Sequence, residues 1–164
     1  MSGAAVAVLG RQFARPGEGA ELLRLNVVLG QALSVPGLLR YQVLVRSDDE
    51  TELCVYWLWR DFADREAVWA DPPAALTGFW VSAKPLWRKD PDVRRYRWEP
   101  AVERDLSPGP AVVLGAGEPT ADDHGLIDID GGATLRCRPA GQTPAPGQWT
   151  GVWRLSATEE RRGV

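Results

Sequence analysis

The segment from residue 38 to residue 60 constrains the fold more than any other part of the chain. It contains two runs, Leu38 to Ser47 and Glu52 to Arg60, rich in the β-branched and aromatic residues that strands favour. Only a short acidic turn, Asp48-Asp49-Glu50, separates them. Parallel strands need a crossover of a dozen or more residues, so the two runs are predicted to form an antiparallel hairpin.

The second strand of this hairpin presents two different surfaces, because side chains alternate between the faces of a strand. Val55, Trp57 and Trp59 lie on one face; Cys54, Tyr56 and Leu58 lie on the other. The chain has eight tryptophans, against three phenylalanines and three tyrosines. An indole ring offers a flat apolar surface and one N–H donor. The tryptophan face is therefore predicted to form either ordinary core or the wall of a pocket for a flat ligand.

A helix is predicted on each side of the hairpin. From Glu18 to Leu33, apolar residues recur at helical spacing on one face, and Asn26 lies at the edge of that face. After the hairpin, Asp61 is a suitable N-cap for a helix that ends near Ala70. Two prolines then introduce a shorter helix that carries Phe79 and Trp80.

Two outer strands complete the pattern. Ala4 to Phe13 is rich in valine and leucine, and Asp92 to Glu99 has the composition of a final strand. The resulting order, β-α-β-β-α-β, is typical of the ferredoxin-like fold. We therefore predict an α+β protein in which helices pack on one face of an antiparallel sheet.

The composition changes after residue 100, where a proline-rich stretch resembles a linker. Four short strand candidates follow: Ala111 to Leu114, Gly125 to Ile129, Thr134 to Arg138 and Trp149 to Leu155. This stretch is too short for a large core of its own. We expect residues 1–100 to form one domain and residues 101–164 a β-rich extension that packs on it, capping a sheet edge or a pocket mouth.

Composition also excludes several functions. The formal net charge of −3 leaves no basic surface for nucleic acid, and no apolar run approaches the roughly 20 residues of a membrane span. The apolar start has no basic leading segment, and Cys54 and Cys137 are interpreted as reduced, so a cytoplasmic location is predicted. One histidine, His124, and two distant cysteines leave little for a metal site.

A family resemblance extends over Ala4 to Glu99. Its features are the opening strand, the helix after Pro16-Gly17, the stretch from Val35 to Tyr41, and the strand ending Tyr56-Trp57-Leu58-Trp59 before a helix. In these features the chain resembles the antibiotic biosynthesis monooxygenase superfamily. The resemblance implies a homodimer that joins two sheets in a dimeric α/β barrel. It also implies an enzyme without bound metal or cofactor that uses dioxygen, in some members with reduced flavin supplied from outside.

The resemblance also suggests site residues. Trp59 matches a pocket tryptophan of anthrone-oxygenase-like members, and Tyr41 falls where some members carry a polar ring. Gly10, before Arg11, stands where those members often have an asparagine, and the histidine they carry on the helix near Trp69 is missing.

A cofactor-free oxygenase must hold a flat phenolic substrate, stabilise its oxyanion and exclude water. The predicted catalytic residues are Trp59 as N–H donor, Tyr41 as proton relay and Asn26 as ligand for a substrate oxygen. The predicted substrate-binding residues are Trp57, Trp69, Phe79, Trp80, Arg11 and Gln12. The sequence thus predicts a monooxygenase that tailors an aromatic polyketide or a polycyclic phenol or quinone. The alternatives are a non-redox cyclase or isomerase on the same fold, and a non-catalytic protein that binds the polycyclic product.

Overall fold

The structure is a computed structural model that describes residues 5–46, 49–98, 111–116, 124–128, 134–139 and 151–160, with side chains described for 5–46 and 49–95. The first half contains β1 (Val6–Ala14), α1 (Gly19–Ala32), β2 (Leu38–Arg46), β3 (Asp49–Trp59), α2 (Phe62–Ala70), α3 (Ala74–Ala83), a 3-10 turn (Lys84–Leu86) and β4 (Trp87–Trp98). The second half contains β5 (Ala111–Ala116), β6 (His124–Asp128), β7 (Thr134–Pro139) and β8 (Gly151–Glu160). The predicted ferredoxin-like element order is confirmed.

Local sequence signals explain where these elements begin and turn. The Asp61 carboxylate accepts a hydrogen bond from the Asp64 backbone N–H at 2.9 Å, which caps α2 as predicted. Gly17 and Gly37 have φ of 82° and 81°, so the turns before α1 and β2 use conformations that favour glycine. No helix in the described part of the chain is long and apolar enough to cross a membrane.

The last strand of the first half begins at Trp87, earlier than the predicted start at Asp92. The pairing of β1 with β4 shifts register between Arg11 and Phe13, opposite the segment that contains Pro91. A proline has no N–H for a strand ladder and is tolerated at such an irregularity. The strand therefore continues through Pro91, and the predicted start at Asp92 is five residues too late.

The eight strands form a closed barrel in the order β1-β3-β2-β8-β5-β7-β6-β4. The first half contributes the ferredoxin-like order β4-β1-β3-β2, and the second half repeats it as β8-β5-β7-β6. Both edges of the first sheet are occupied, because β8 pairs with β2 and β6 pairs with β4. The stretch predicted as an extension thus completes a barrel within one chain. The homodimer that the resemblance implies stays a prediction.

The first sheet is buried on both faces. One face packs against the helices, with Val43, Val55 and Leu22 at most 1% exposed in the core between them. The opposite face points into the barrel, where Leu9 and Tyr56 are also buried. Helices thus cover only the outer face, and the space between that face and the helices is where a site can form.

Candidate functional site

A cavity of about 100 Å³ lies between the outer face of the first sheet and the helices. The strands supply Val8, Gly10, Gln12, Val55, Trp57, Trp87, Pro91 and Val93. The three helices supply Asn26, Trp69, Leu76, Phe79 and Trp80. The period of two places Gly10 and Gln12 on this face of β1, together with Val8. Six of the nine predicted site residues line it: Gln12, Asn26, Trp57, Trp69, Phe79 and Trp80.

Indole rings form much of the cavity wall. The rings of Trp57 and Trp69 meet edge to face at 5.9 Å, and those of Trp69 and Trp80 at 6.1 Å. The Arg65 guanidinium lies over the Trp69 ring at 4.5 Å, a cation–π contact that fixes this indole from outside. Such a wall offers flat apolar surfaces against which an aromatic ring can pack.

The polar part of the cavity is a pair of amides. Gln12 Nε2 donates to Asn26 Oδ1 at 2.9 Å, and Asn26 Nδ2 donates back to Gln12 Oε1 at 3.1 Å. Asn26 Nδ2 also donates to the Leu22 carbonyl at 2.8 Å, and the Trp87 indole N–H donates to Gln12 Oε1 at 3.2 Å. Since a carbonyl only accepts and an indole N–H only donates, these two contacts fix which way each amide points.

One N–H of the Gln12 amide is not used in this network. Both hydrogens of Asn26 Nδ2 are used, and Gln12 Oε1 accepts two bonds. Gln12 Nε2 carries two hydrogens, and the contacts among the described residues use only one of them. The remaining N–H of Gln12 is therefore available to an oxygen atom of a ligand, in a site where Gln12 is only 7% exposed.

Tyr41 is fully buried and does not line the cavity. Its hydroxyl donates to the Asn26 backbone carbonyl at 2.8 Å, and burial raises the pKa of this phenol well above its usual value. The hydroxyl is therefore a structural link between β2 and α1. The predicted proton relay at Tyr41 stays a prediction. Strand phase predicts the face on which a side chain lies, but not the partner of its tip.

Trp59 also lies outside the cavity, one ring behind its wall. It is fully buried and stacks parallel to Trp57 with the ring centroids 6.0 Å apart. Its indole N–H has no hydrogen-bond partner among the described residues. Sequence reasoning places Trp57 and Trp59 on the same face correctly, but the structure brings only Trp57 to the cavity.

Arg11 lies on the opposite face of β1 from Gln12. Its guanidinium forms an ion pair with Glu52, and the same carboxylate accepts a hydrogen bond from Arg46 Nη1 at 2.9 Å. The structure therefore does not bring Arg11 to the cavity. The period of two already separates Arg11 from Gln12 on this strand.

Gly10 and Trp87 line the cavity but were not predicted as site residues. Gly10 shares the face of Gln12, so strand phase was a sufficient signal for it. Trp87 was missed because the predicted last strand begins after it. None of the described side chains that line the cavity is ionisable, and no group of three His, Cys, Asp or Glu in the described part of the chain could hold a metal.

No family model matches this sequence. A search of curated proteins also finds no match. Solved structures do match. A provisionally assigned monooxygenase from Fusobacterium nucleatum aligns with a TM-score of 0.71 over 100% of this chain and 98% of its own, at 7% identity. An anthrone oxidase-like protein aligns with a TM-score of 0.64 over 98% and 95%, at 13% identity.

A conserved protein from Methanosarcina mazei aligns with a TM-score of 0.51 and 17% identity, and covers 57% of this chain against 92% of its own. Some matching structures thus correspond to little more than half of this chain, and others to all of it. At such low identities, the likeness is one of fold. The chain has the ferredoxin-like α+β fold of proteins assigned as monooxygenases, which is the fold that the resemblance predicted.

Proposed function

We propose that this protein is an oxygenase that oxidises an electron-rich phenol or hydroquinone with dioxygen and without a bound metal or cofactor. The observation that carries the proposal is the chemistry of the cavity. It combines an indole wall with one oriented amide donor, the Gln12 N–H. That combination suits a flat ligand with an oxygen substituent.

The reaction can be balanced without a protein redox group. A phenolic anion gives one electron to dioxygen, and the substrate radical and superoxide then combine at a ring carbon. Loss of water from the hydroperoxide leaves a carbonyl, so that a CH₂ group and O₂ become C=O and H₂O. The protein's part is to hold the ring, to donate a hydrogen bond to the substrate oxygen and to keep water away.

The lining also bears on the alternatives. A cyclase or isomerase needs a group that removes and returns protons. None of the described side chains of the cavity can do so at neutral pH. A non-catalytic binding protein needs no such group and is therefore the second candidate. For the oxygenase, the substrate would lose its phenol proton to water before it enters the cavity, which favours substrates that ionise readily.

The cavity volume bears on the size of the substrate. A cavity of about 150 Å³ holds one benzene ring, and this one measures about 100 Å³. This cavity is smaller, so no more than one ring of a substrate would lie between the sheet and the helices. The other rings of an aromatic polyketide would lie at the mouth of the cavity, where Val93 is 51% exposed and Trp80 is half-buried.

We extend the proposal to the location, assembly and pathway of the protein: a cytoplasmic homodimer that acts in antibiotic biosynthesis and can use external reduced flavin.

Oxygen consumption tests the function. Purified protein is mixed with an anthrone and, separately, with 1,4-dihydroxynaphthalene, with and without reduced flavin. We expect dioxygen uptake well above autoxidation and above the rate of the Gln12→Met/Asn26→Leu double variant, which removes the amide pair. Uptake at the autoxidation rate, together with saturable binding of the same compounds, would replace the oxygenase with the binding protein.

A further inference from the structure

Gly10 lies in the interior of β1, between two paired strands. Its partners are Val55 on β3 and Val93 on β4, and all three residues line the cavity. A glycine inside a strand weakens the strand, because it has more backbone freedom to lose and no side chain to pack. The presence of glycine at this position therefore requires a structural or functional explanation.

Neither the backbone conformation at Gly10 nor crowding by a neighbouring side chain explains the glycine. The positive φ values of the described residues belong to Gly17 and Gly37, so Gly10 has a backbone that other residues adopt. A Cβ added at Gly10 would meet no atom of the described residues within 4 Å. At Gly30, by contrast, the added atom would overlap the Tyr41 ring. Among the described residues, a Cβ at Gly10 would therefore touch nothing and would extend into the cavity.

We propose that Gly10 is a substrate-contact position, where the flat face of an aromatic ring lies on the bare peptide of β1. Glycine inside a strand often marks a bulge or a site where a ligand approaches the backbone. The register shift between β1 and β4 lies beyond Gly10, after Arg11, which leaves the approach of a ligand. Gln12 lies two residues further along the same face, about 6.6 Å away at the usual rise of a strand. A ring on Gly10 thus directs its oxygen substituent toward the available Gln12 N–H.

This geometry defines the substrate class as a planar ring with a phenolic or quinone oxygen in the plane of the ring. A ring with a substituent projecting from its face does not lie on the peptide. Because it names the substrate of the same cavity, the inference rests on the proposed function. It makes Gly10 a specificity-determining residue, since the absent side chain sets how closely the ring approaches β1.

The test compares Gly10→Ala and Gly10→Val with Gly78→Ala. Gly78 is a matched control, because its added Cβ also meets no atom of the described residues within 4 Å and it does not line this cavity. Binding of 1-naphthol is measured by quenching of tryptophan fluorescence, and stability by urea unfolding. We expect the Gly10 variants to unfold at the same or a higher urea concentration than wild type.

Affinity for 1-naphthol is expected to fall at least tenfold in Gly10→Val, less in Gly10→Ala and not at all in Gly78→Ala. Higher stability with weaker binding separates a contact position from a structural one. Wild-type affinity in Gly10→Val, or no binding of 1-naphthol by the wild type, would overturn the inference.

Oxygen uptake separates this inference from the proposed function. If the wild type binds 1-naphthol, Gly10→Val does not, and neither consumes dioxygen with 1,4-dihydroxynaphthalene, the contact position stands and the oxygenase fails. If both consume dioxygen equally, with equal affinity for 1-naphthol, the oxygenase stands and the contact position fails.

Discussion

Replacing the two cavity amides by apolar side chains of similar shape tests whether Gln12 and Asn26 act as one unit. Gln12→Met and Asn26→Leu each remove one partner of a buried pair. An unpaired buried polar group costs about 1–3 kcal/mol, whereas replacing both partners is close to neutral. The two single variants should therefore be less stable than the double variant.

The hydrogen bonds that each variant loses determine the expected loss of stability. Gln12→Met leaves Asn26 Oδ1 without its donor, one Asn26 Nδ2 hydrogen without an acceptor and the Trp87 N–H without Gln12; we expect a loss of about 2–4 kcal/mol. Asn26→Leu deprives Gln12 Nε2 of its described partner and should cost about 1–3 kcal/mol. The double variant leaves only the N–H of the half-buried Trp87 without its described partner and should lose about 1 kcal/mol.

Urea unfolding of the four proteins, followed by circular dichroism, completes the double-mutant cycle. From these figures the coupling free energy should be at least about 2 kcal/mol, which is typical of residues in direct contact. If the two single losses add to within about 0.5 kcal/mol of the double loss, the amides are not coupled and the reasoning is refuted. If the double variant is stable but does not bind 1-naphthol, the fold does not need the amides, and their role is in binding the ligand.

Two other predictions concern buried groups of the same sheet and helices. Burial raises the pKa of the Cys54 thiol from its usual value of 9.0 to about 12. The protonated thiol therefore contributes stability that is fully present below pH 9.0 and is lost as the pH rises toward 12. Cys54→Ala should reduce the fall in unfolding free energy over that range by up to about 1.4 kcal/mol per pH unit, and an unchanged slope would contradict the burial of this thiol. Gly30→Ala should cost about 1–3 kcal/mol because its methyl overlaps the Tyr41 ring, whereas Gly78→Ala on α3 should add up to about 1 kcal/mol of helix stability. Equal midpoints of thermal unfolding for the two glycine variants would argue against the described packing.

The sequence predicts the element order well because each element has a local signal. The hairpin follows from its short turn, and α2 follows from its Asp61 cap. Strand phase also places Trp57 on the helix-covered face. These signals depend on residues close together in the chain, and the structure confirms them.

How deeply a side chain is buried, and which distant strand a strand pairs with, cannot be predicted from neighbouring residues in the sequence. Trp57 and Trp59 have the same phase, yet only one reaches the cavity, because depth depends on how the helices pack over the sheet. The tip of Tyr41 bonds to the Asn26 carbonyl on another element, which periodicity cannot indicate. The pairing of β2 with β8 joins residues more than a hundred positions apart, so closure of the barrel could not be predicted from either strand.

Because the barrel closes within one chain, the two halves of the chain have different structural roles. In the described part of the chain, all three helices belong to the first half, and together with that half's sheet they form the cavity. The strands β5 to β8 complete the barrel around the reverse face of that sheet, where Leu9 and Tyr56 would otherwise be exposed to water. Both sheet edges are already paired, so a homodimer that leaves the barrel intact has to use another surface. The first half therefore carries the candidate chemistry, and the second half supplies the burial that keeps its sheet, and with it the cavity wall, in place.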